Sequence, residues 1–204
     1  ANAEALISFA DGATPLGSCL PNPTTGICSI TTTALAAGSH LLSASFAGSA
    51  NYNASSSGST SVIVAAAQTT TTLSASATVI GSGETATLTI AISPTTATGD
   101  VTIFDGSASI GTCRLASGTC TFSTASLGLG SHLLFAWYPG DGNHAASQSA
   151  ATTVTVRQPS LTTVVTSGSP TVYGSPIILT ASVSTGDGNA ATGIVTFLDG
   201  TTGV

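Results

Sequence analysis

The side chains of this 204-residue chain that could do chemistry are few: three His, four Cys and eight Asp or Glu. His40 and His132 each follow a Gly-Ser pair and precede Leu-Leu. A catalytic or metal-binding role needs partner groups within reach. The surrounding sequence supplies none, so both rings are expected to be hydrogen-bonded at a sheet edge. His144 stands where a related stretch has Tyr52, and is expected to pack within a loop. No serine lies in a Gly-x-Ser-x-Gly elbow, and nothing points to two close acids in a cleft. No catalytic residue is assigned, and the chain is read as non-enzymatic. Asp11-Gly12, Asp105-Gly106 and Asp199-Gly200 read as turns, with Gly supplying positive φ. A calcium site would need about six to eight oxygens, several of them from carboxylates. It would be best placed near Asp100, Asp105 or Asp141, but with Glu4, Glu84 and Asp187 completing the set the acids are too sparse. No metal and no cofactor is expected.

The cysteines fall into two local pairs, Cys19/Cys28 and Cys113/Cys120. The stretch from Cys113 to Cys120 reads as two strand ends around a tight turn, where cross-strand neighbours approach closely enough to bond. A bridge closing such a loop would stabilise by roughly 2–3 kcal/mol and implies an oxidising compartment. Four cysteines split between two separate units do not make one tetrahedral metal set.

The elements that position these residues recur. Leu6-Ile-Ser-Phe-Ala-Asp-Gly12, Asp100-Val-Thr-Ile-Phe-Asp-Gly106 and Ile194-Val-Thr-Phe-Leu-Asp-Gly200 are three versions of one phrase, with Asp11, Asp105 and Asp199 spaced by 94. Gly38-Ser-His-Leu-Leu42 matches Gly130-Ser-His-Leu-Leu134, and both cysteine pairs fall in register. Such a period marks a repeat architecture. It divides the chain into residues 1–66, the back part of a first repeat, 67–157, a complete second repeat, and 158–204, the front part of a third. A start at Ala1 and a stop within the repeating pattern lead to the expectation of a window cut from a longer tandem array.

Within the complete repeat, alternating apolar and small polar residues predict strands over 69–76, 85–93, 99–104, 108–114, 119–123, 131–138 and 151–157, separated by Gly, Pro, Asn and Ser. The bias toward Thr, Val and Ile suits pleated surfaces, and no segment carries a helical period. Seven antiparallel strands in about 94 residues predict an all-β fold of tandem immunoglobulin-like sandwiches. Comparison of the copies assigns Leu134, Ala136, Tyr138, Val154, Val156, Val101 and Ile103 to the core, faced by Leu88, Ile90 and Ile92.

Composition excludes several function classes. Only two cations, Arg114 and Arg157, accompany eight acids, so the net charge is −6 and a phosphate backbone has no counter-charge here. No apolar run is long enough to span a membrane. Thr (36) and Ser (30) dominate, leaving a surface with little like-charge repulsion to oppose close packing of copies.

Gly99-Asp-Val-Thr-Ile-Phe-Asp-Gly106, Gly130-Ser-His-Leu-Leu134 and Trp137-Tyr-Pro-Gly-Asp-Gly-Asn-His-Ala-Ala-Ser147 resemble the bacterial Ig-like domain repeats of large surface and secreted proteins. The resemblance covers essentially the whole chain. It implies a sandwich fold, an extracellular or cell-surface position and a structural or adhesive role without shared catalytic residues.

One difference between copies bears on function. Leu41, Ser43 and Ser45 of the first repeat become Leu133, Phe135 and Trp137 in the second. If Leu134, Ala136 and Tyr138 face inward, this stripe faces outward, where aromatics often mark contacts. It is the candidate surface for packing against another copy or an adjacent repeat. The leading expectation is a segment of an extracellular stalk or filament. The alternatives are an adhesin repeat binding carbohydrate or a host protein, and a spacer module of a secreted enzyme.

Overall fold

A computed structural model describes residues 5–186, 188 and 190–203; Glu4 and Asp187 lie outside them. Every regular element among the described residues is a strand. The first repeat contributes β1 (Ile7–Asp11), β2 (Thr14–Cys19), β3 (Gly38–Phe46), β4 (Ser55–Ser56) and β5 (Thr60–Val64). The second contributes β6 (Thr70–Ala75), β7 (Val79–Gly81), β8 (Ala86–Ser93), β9 (Asp100–Asp105), β10 (Ala108–Arg114), β11 (Thr119–Thr124), β12 (Gly130–Tyr138), β13 (Ser147–Gln148) and β14 (Thr152–Arg157). Beyond it follow β15 (Ser160–Thr166), β16 (Leu179–Thr185), β17 (Leu198–Asp199) and β18 (Thr202–Gly203).

The second repeat is a two-sheet sandwich. One sheet runs β10-β9-β12-β14-β7, with β13 also on β12, and faces a sheet of order β11-β8-β6. Alternation decides which side chains meet between them. Leu134, Ala136 and Tyr138 of β12, Val101 and Ile103 of β9, Val154 and Val156 of β14, and Leu88, Ile90 and Ile92 of β8 are all buried in one cluster, as the comparison of copies anticipates. Two strands carry no sequence signal. β7 has three residues and pairs in parallel with β14, and β13 has two; neither is long enough to display a period.

The first repeat builds the same outer framework. β1 pairs antiparallel with β2 and β3, and β5 and β4 also pair with β3. Its counterparts of the core residues, Leu42, Ala44, Phe46, Val62 and Val64, are half-buried, because among the described residues no second sheet covers them. After residue 157, β15 pairs with β16, and β17 with β18 around Gly200 (φ 62°).

Both disulfides form, Cys19–Cys28 and Cys113–Cys120, each with Cα atoms 5.9 Å apart. Their setting differs from the expected hairpin. β10 pairs with β9 in one sheet and β11 with β8 in the other. Cys113 lies opposite Val101 and Cys120 opposite Ile90, both buried core residues. The bridge therefore staples the two sheets across a turn, in which Ser117 and Gly118 both have positive φ. Sequence cannot distinguish a turn that continues a ladder from one that changes sheets, since both use the same turn residues.

Candidate functional site

The two equivalent histidines close identical clamps. In the first repeat, His40 Nδ1 lies 2.6 Å from Asp11 Oδ2 and Nε2 lies 2.8 Å from the Ala36 carbonyl oxygen. In the second, His132 Nδ1 lies 2.6 Å from Asp105 Oδ2 and Nε2 2.8 Å from the Gly128 carbonyl oxygen. The other carboxylate oxygen of each aspartate accepts the N–H of Leu41 (3.0 Å) or Leu133 (3.2 Å). A neutral imidazole can donate from only one nitrogen. Here both nitrogens face acceptors, so the geometry calls for the imidazolium. Accordingly, hydrogen bonds to Asp11 and the Ala36 carbonyl raise the pKa of His40, and those to Asp105 and the Gly128 carbonyl raise that of His132. The His40 hydrogen bond lowers the pKa of Asp11. Each Asp-Gly pair thus has two jobs. Gly12 (φ 54°) and Gly106 (φ 57°) take the left-handed turn, while the preceding carboxylate ties β1 to β3, or β9 to β12.

A second cluster gathers at the loop after β12. Asp141 Oδ1 accepts the N–H groups of Asn143 (2.8 Å) and His144 (2.9 Å) and lies 2.7 Å from His144 Nδ1. Its Oδ2 accepts both the N–H and the hydroxyl of Thr98, each at 2.9 Å. Burial opposes the charged carboxylate, but the amides of Asn143 and Thr98, the His144 ring and the Thr98 hydroxyl hold Asp141 well below the usual carboxylate range. Tyr138 donates its hydroxyl to the Thr98 carbonyl at 3.0 Å. Gly140 has a φ of 88°, and a Cβ there would come within 2.6 Å of the His144 carbonyl oxygen. Gly48 has the same φ, and a Cβ there would likewise come within 2.9 Å of the Tyr52 carbonyl oxygen, so one loop shape serves both repeats.

This loop also holds the chain between repeats. Ala67 N–H donates to the Asn143 carbonyl, and Ala145 N–H to the Ala67 carbonyl, both at 2.8 Å. The Asn143 side chain crosses to the first repeat, where its Oδ1 accepts the N–H of Ala37 at 2.8 Å.

The residues weighed for calcium do not converge. Asp105 serves His132 and Asp141 serves its loop, while Asp100 meets Arg114 Nη1 at 3.6 Å with both side chains largely exposed. Among the described residues no three His, Cys, Asp or Glu gather into a metal-binding group. The stripe Leu133/Phe135/Trp137 does lie on the face opposite the core. Leu133 is 53% and Trp137 38% exposed, and Phe135 stacks on Phe104 with ring centroids 5.1 Å apart. The matching first-repeat positions are Ala10, Leu41, Ser43 and Ser45.

Sequence reasoning missed Asn143 and Asp141 as organisers. The available signal was the match of Gly48-Ser-Ala-Asn-Tyr52 to Gly140-Asp-Gly-Asn-His144, in which Gly and Asn recur at fixed places.

The family model for the bacterial Ig-like domain (group 3) matches residues 2–65 and again 70–157. The chain belongs to that family. Domains of this Ig-like kind are generally non-catalytic modules and are often extracellular, a setting that fits the two disulfides. Among solved structures, the fibronectin(III)-like modules of Clostridium thermocellum CbhA are similar to this Ig-like chain, with 18% identity over 76% of this chain and 78% of theirs and a TM-score of 0.37. No curated protein sequence matches it.

Proposed function

We propose that this chain is a segment of a tandem Ig-like array that serves as an extracellular stalk or filament, with repeats bounded near residues 66/67 and 157/158. The observation that carries the reading is the way the repeats are joined. β5 ends at Val64 and β6 begins at Thr70, and between them Ala67 is held through its N–H by the Asn143 carbonyl and through its carbonyl by the Ala145 N–H. A short linker fastened in this way restricts the relative motion that adjacent domains otherwise show, which favours a rod over beads on a flexible string. Partners on this reading are adjacent repeats and other copies of the chain. Lateral contact is assigned to the outer face of the second repeat, at Leu133, Phe135 and Trp137. Electron microscopy of the native material should show regular rods or filaments, with F135S/W137S weakening side-by-side association while the fold is kept. Isolated, randomly bent particles would overturn the stalk reading, and unchanged association of F135S/W137S would remove the assigned face.

The same face favours a second reading, an adhesin repeat. Stacked Phe104 and Phe135 beside a partly exposed Trp137 form an apolar strip that could receive a carbohydrate ring or a host-protein side chain. Binding to a panel of oligosaccharides that disappears in W137S would favour it over lateral packing.

A further inference from the structure

The His40 clamp and the loop joint meet at one peptide group. The Ala36 carbonyl accepts from His40 Nε2 at 2.8 Å, and the N–H of the same peptide unit, that of Ala37, donates to Asn143 Oδ1 at 2.8 Å. Asp11, His40, the Ala36–Ala37 peptide and Asn143 therefore form one continuous hydrogen-bonded chain running from the first repeat into the second. Each link has a reason. Asp11 sits at the end of β1 beside a glycine turn, so its carboxylate can reach β3. The His40 imidazolium places its second N–H on the Ala36 carbonyl, fixing the peptide plane and aiming the Ala37 N–H away from the first repeat. Asn143 is oriented by its own N–H donating to Asp141, and its carbonyl holds the linker at Ala67. The peptide and Asn143 line a cleft of about 340 Å³ with Thr33, Val64 and Ala65.

We propose that the Asn143 side chain is the inter-repeat latch, and that the Asp–His clamp of each repeat exists to present one backbone N–H to the loop of the repeat that follows. The partner recognised is thus a peptide donor on a neighbouring Ig-like repeat. The second repeat has the same presenting half: His132 Nε2 holds the Gly128 carbonyl, so the Gly128–Leu129 peptide corresponds to Ala36–Ala37. The first repeat has the receiving half. Asn51 stands where Asn143 does, in a loop closed by the same contacts, with Ser49 N–H donating to the Tyr52 carbonyl at 2.8 Å as Asp141 N–H donates to that of His144 at 3.0 Å. This inference rests on the array reading and supplies its joint.

The full chain tests it by NMR. N143A should speed hydrogen exchange at the Ala37 amide about fivefold to tenfold and abolish the shared alignment of the two repeats, while the Leu134 and Tyr138 core signals stay in place. N143D, which keeps an acceptor, should restore both. In combination with H40N, the loss at Ala37 should fall short of the sum of the two single losses, because both act on one peptide. Unchanged Ala37 exchange and unchanged alignment in N143A would overturn the latch, and additive losses would overturn the role of the histidine clamp. Rods that persist in the microscope with N143A behaving as wild type would sink this contact alone, leaving the array reading standing.

Discussion

In β12 the inward side chains Leu134, Ala136 and Tyr138 are fully buried beneath the β11-β8-β6 sheet, whereas their counterparts in β3, Leu42, Ala44 and Phe46, are half-exposed. The backbone pairing around them is the same. β9 meets β12 as β1 meets β3, and His132 and His40 close the same clamp at the same distances. The strand pairing and its hydrogen-bonded clamp thus form within one sheet, and persist whether or not the inner face is covered. Burial is a separate achievement that needs the opposing sheet.

The largest expected difference between the two strands is energetic. Leu134→Ala should destabilise the second repeat by about 2–5 kcal/mol, the usual cost of a core cavity. Leu42→Ala should cost only about 1 kcal/mol, since a half-buried side chain loses less area and leaves no enclosed void. Denaturant unfolding monitored on each repeat reads the contrast, and equal costs would break the comparison. Next comes the staple. C113S/C120S should remove roughly 2–3 kcal/mol from the second repeat, because the bridge ties together two sheets that both exist there. C19S/C28S should affect the first repeat less, since Cys28 lies outside any strand. Calorimetry of the two variants gives the order, and a larger loss in the first repeat would refute it.

The smallest effect sharpens what the repeats share. The raised histidine pKa values mean that the clamps contribute fully below 6.5 and lose that contribution as pH rises through the folded-state values above it. The lowered pKa of Asp11 means that its contribution is present above 3.8 and is lost as pH falls through the folded value. Thermal midpoints should therefore decline from mildly acidic to alkaline pH, and H40N/H132N should flatten that decline. An alkaline decline of full size in the double variant would place its origin elsewhere.

Much of the fold was legible in the residues. Alternation in Gly130–Tyr138 assigned inner and outer faces, and a 94-residue spacing of Asp-Gly turns revealed the repeats. The candidate sites were legible only in part. His40 and His132 were placed at a sheet edge, but their partners lie 29 and 27 residues away in sequence, on a neighbouring strand. Asn143 recurs at the place of Asn51, but that recurrence does not name its partner, since Ala37 is 106 residues distant and offers only a backbone N–H.

By itself, the sequence determined the strand content, the facing of side chains and the period, because alternation and turn chemistry act over a few residues. Only the tertiary structure decided that a disulfide joins two sheets, that the inner face of β12 is covered by the β11-β8-β6 sheet, and that a peptide is shared between a histidine and the next repeat. Those outcomes depend on which segments come together in space, and a hydrogen-bond donor on the backbone carries no mark in the residue letter.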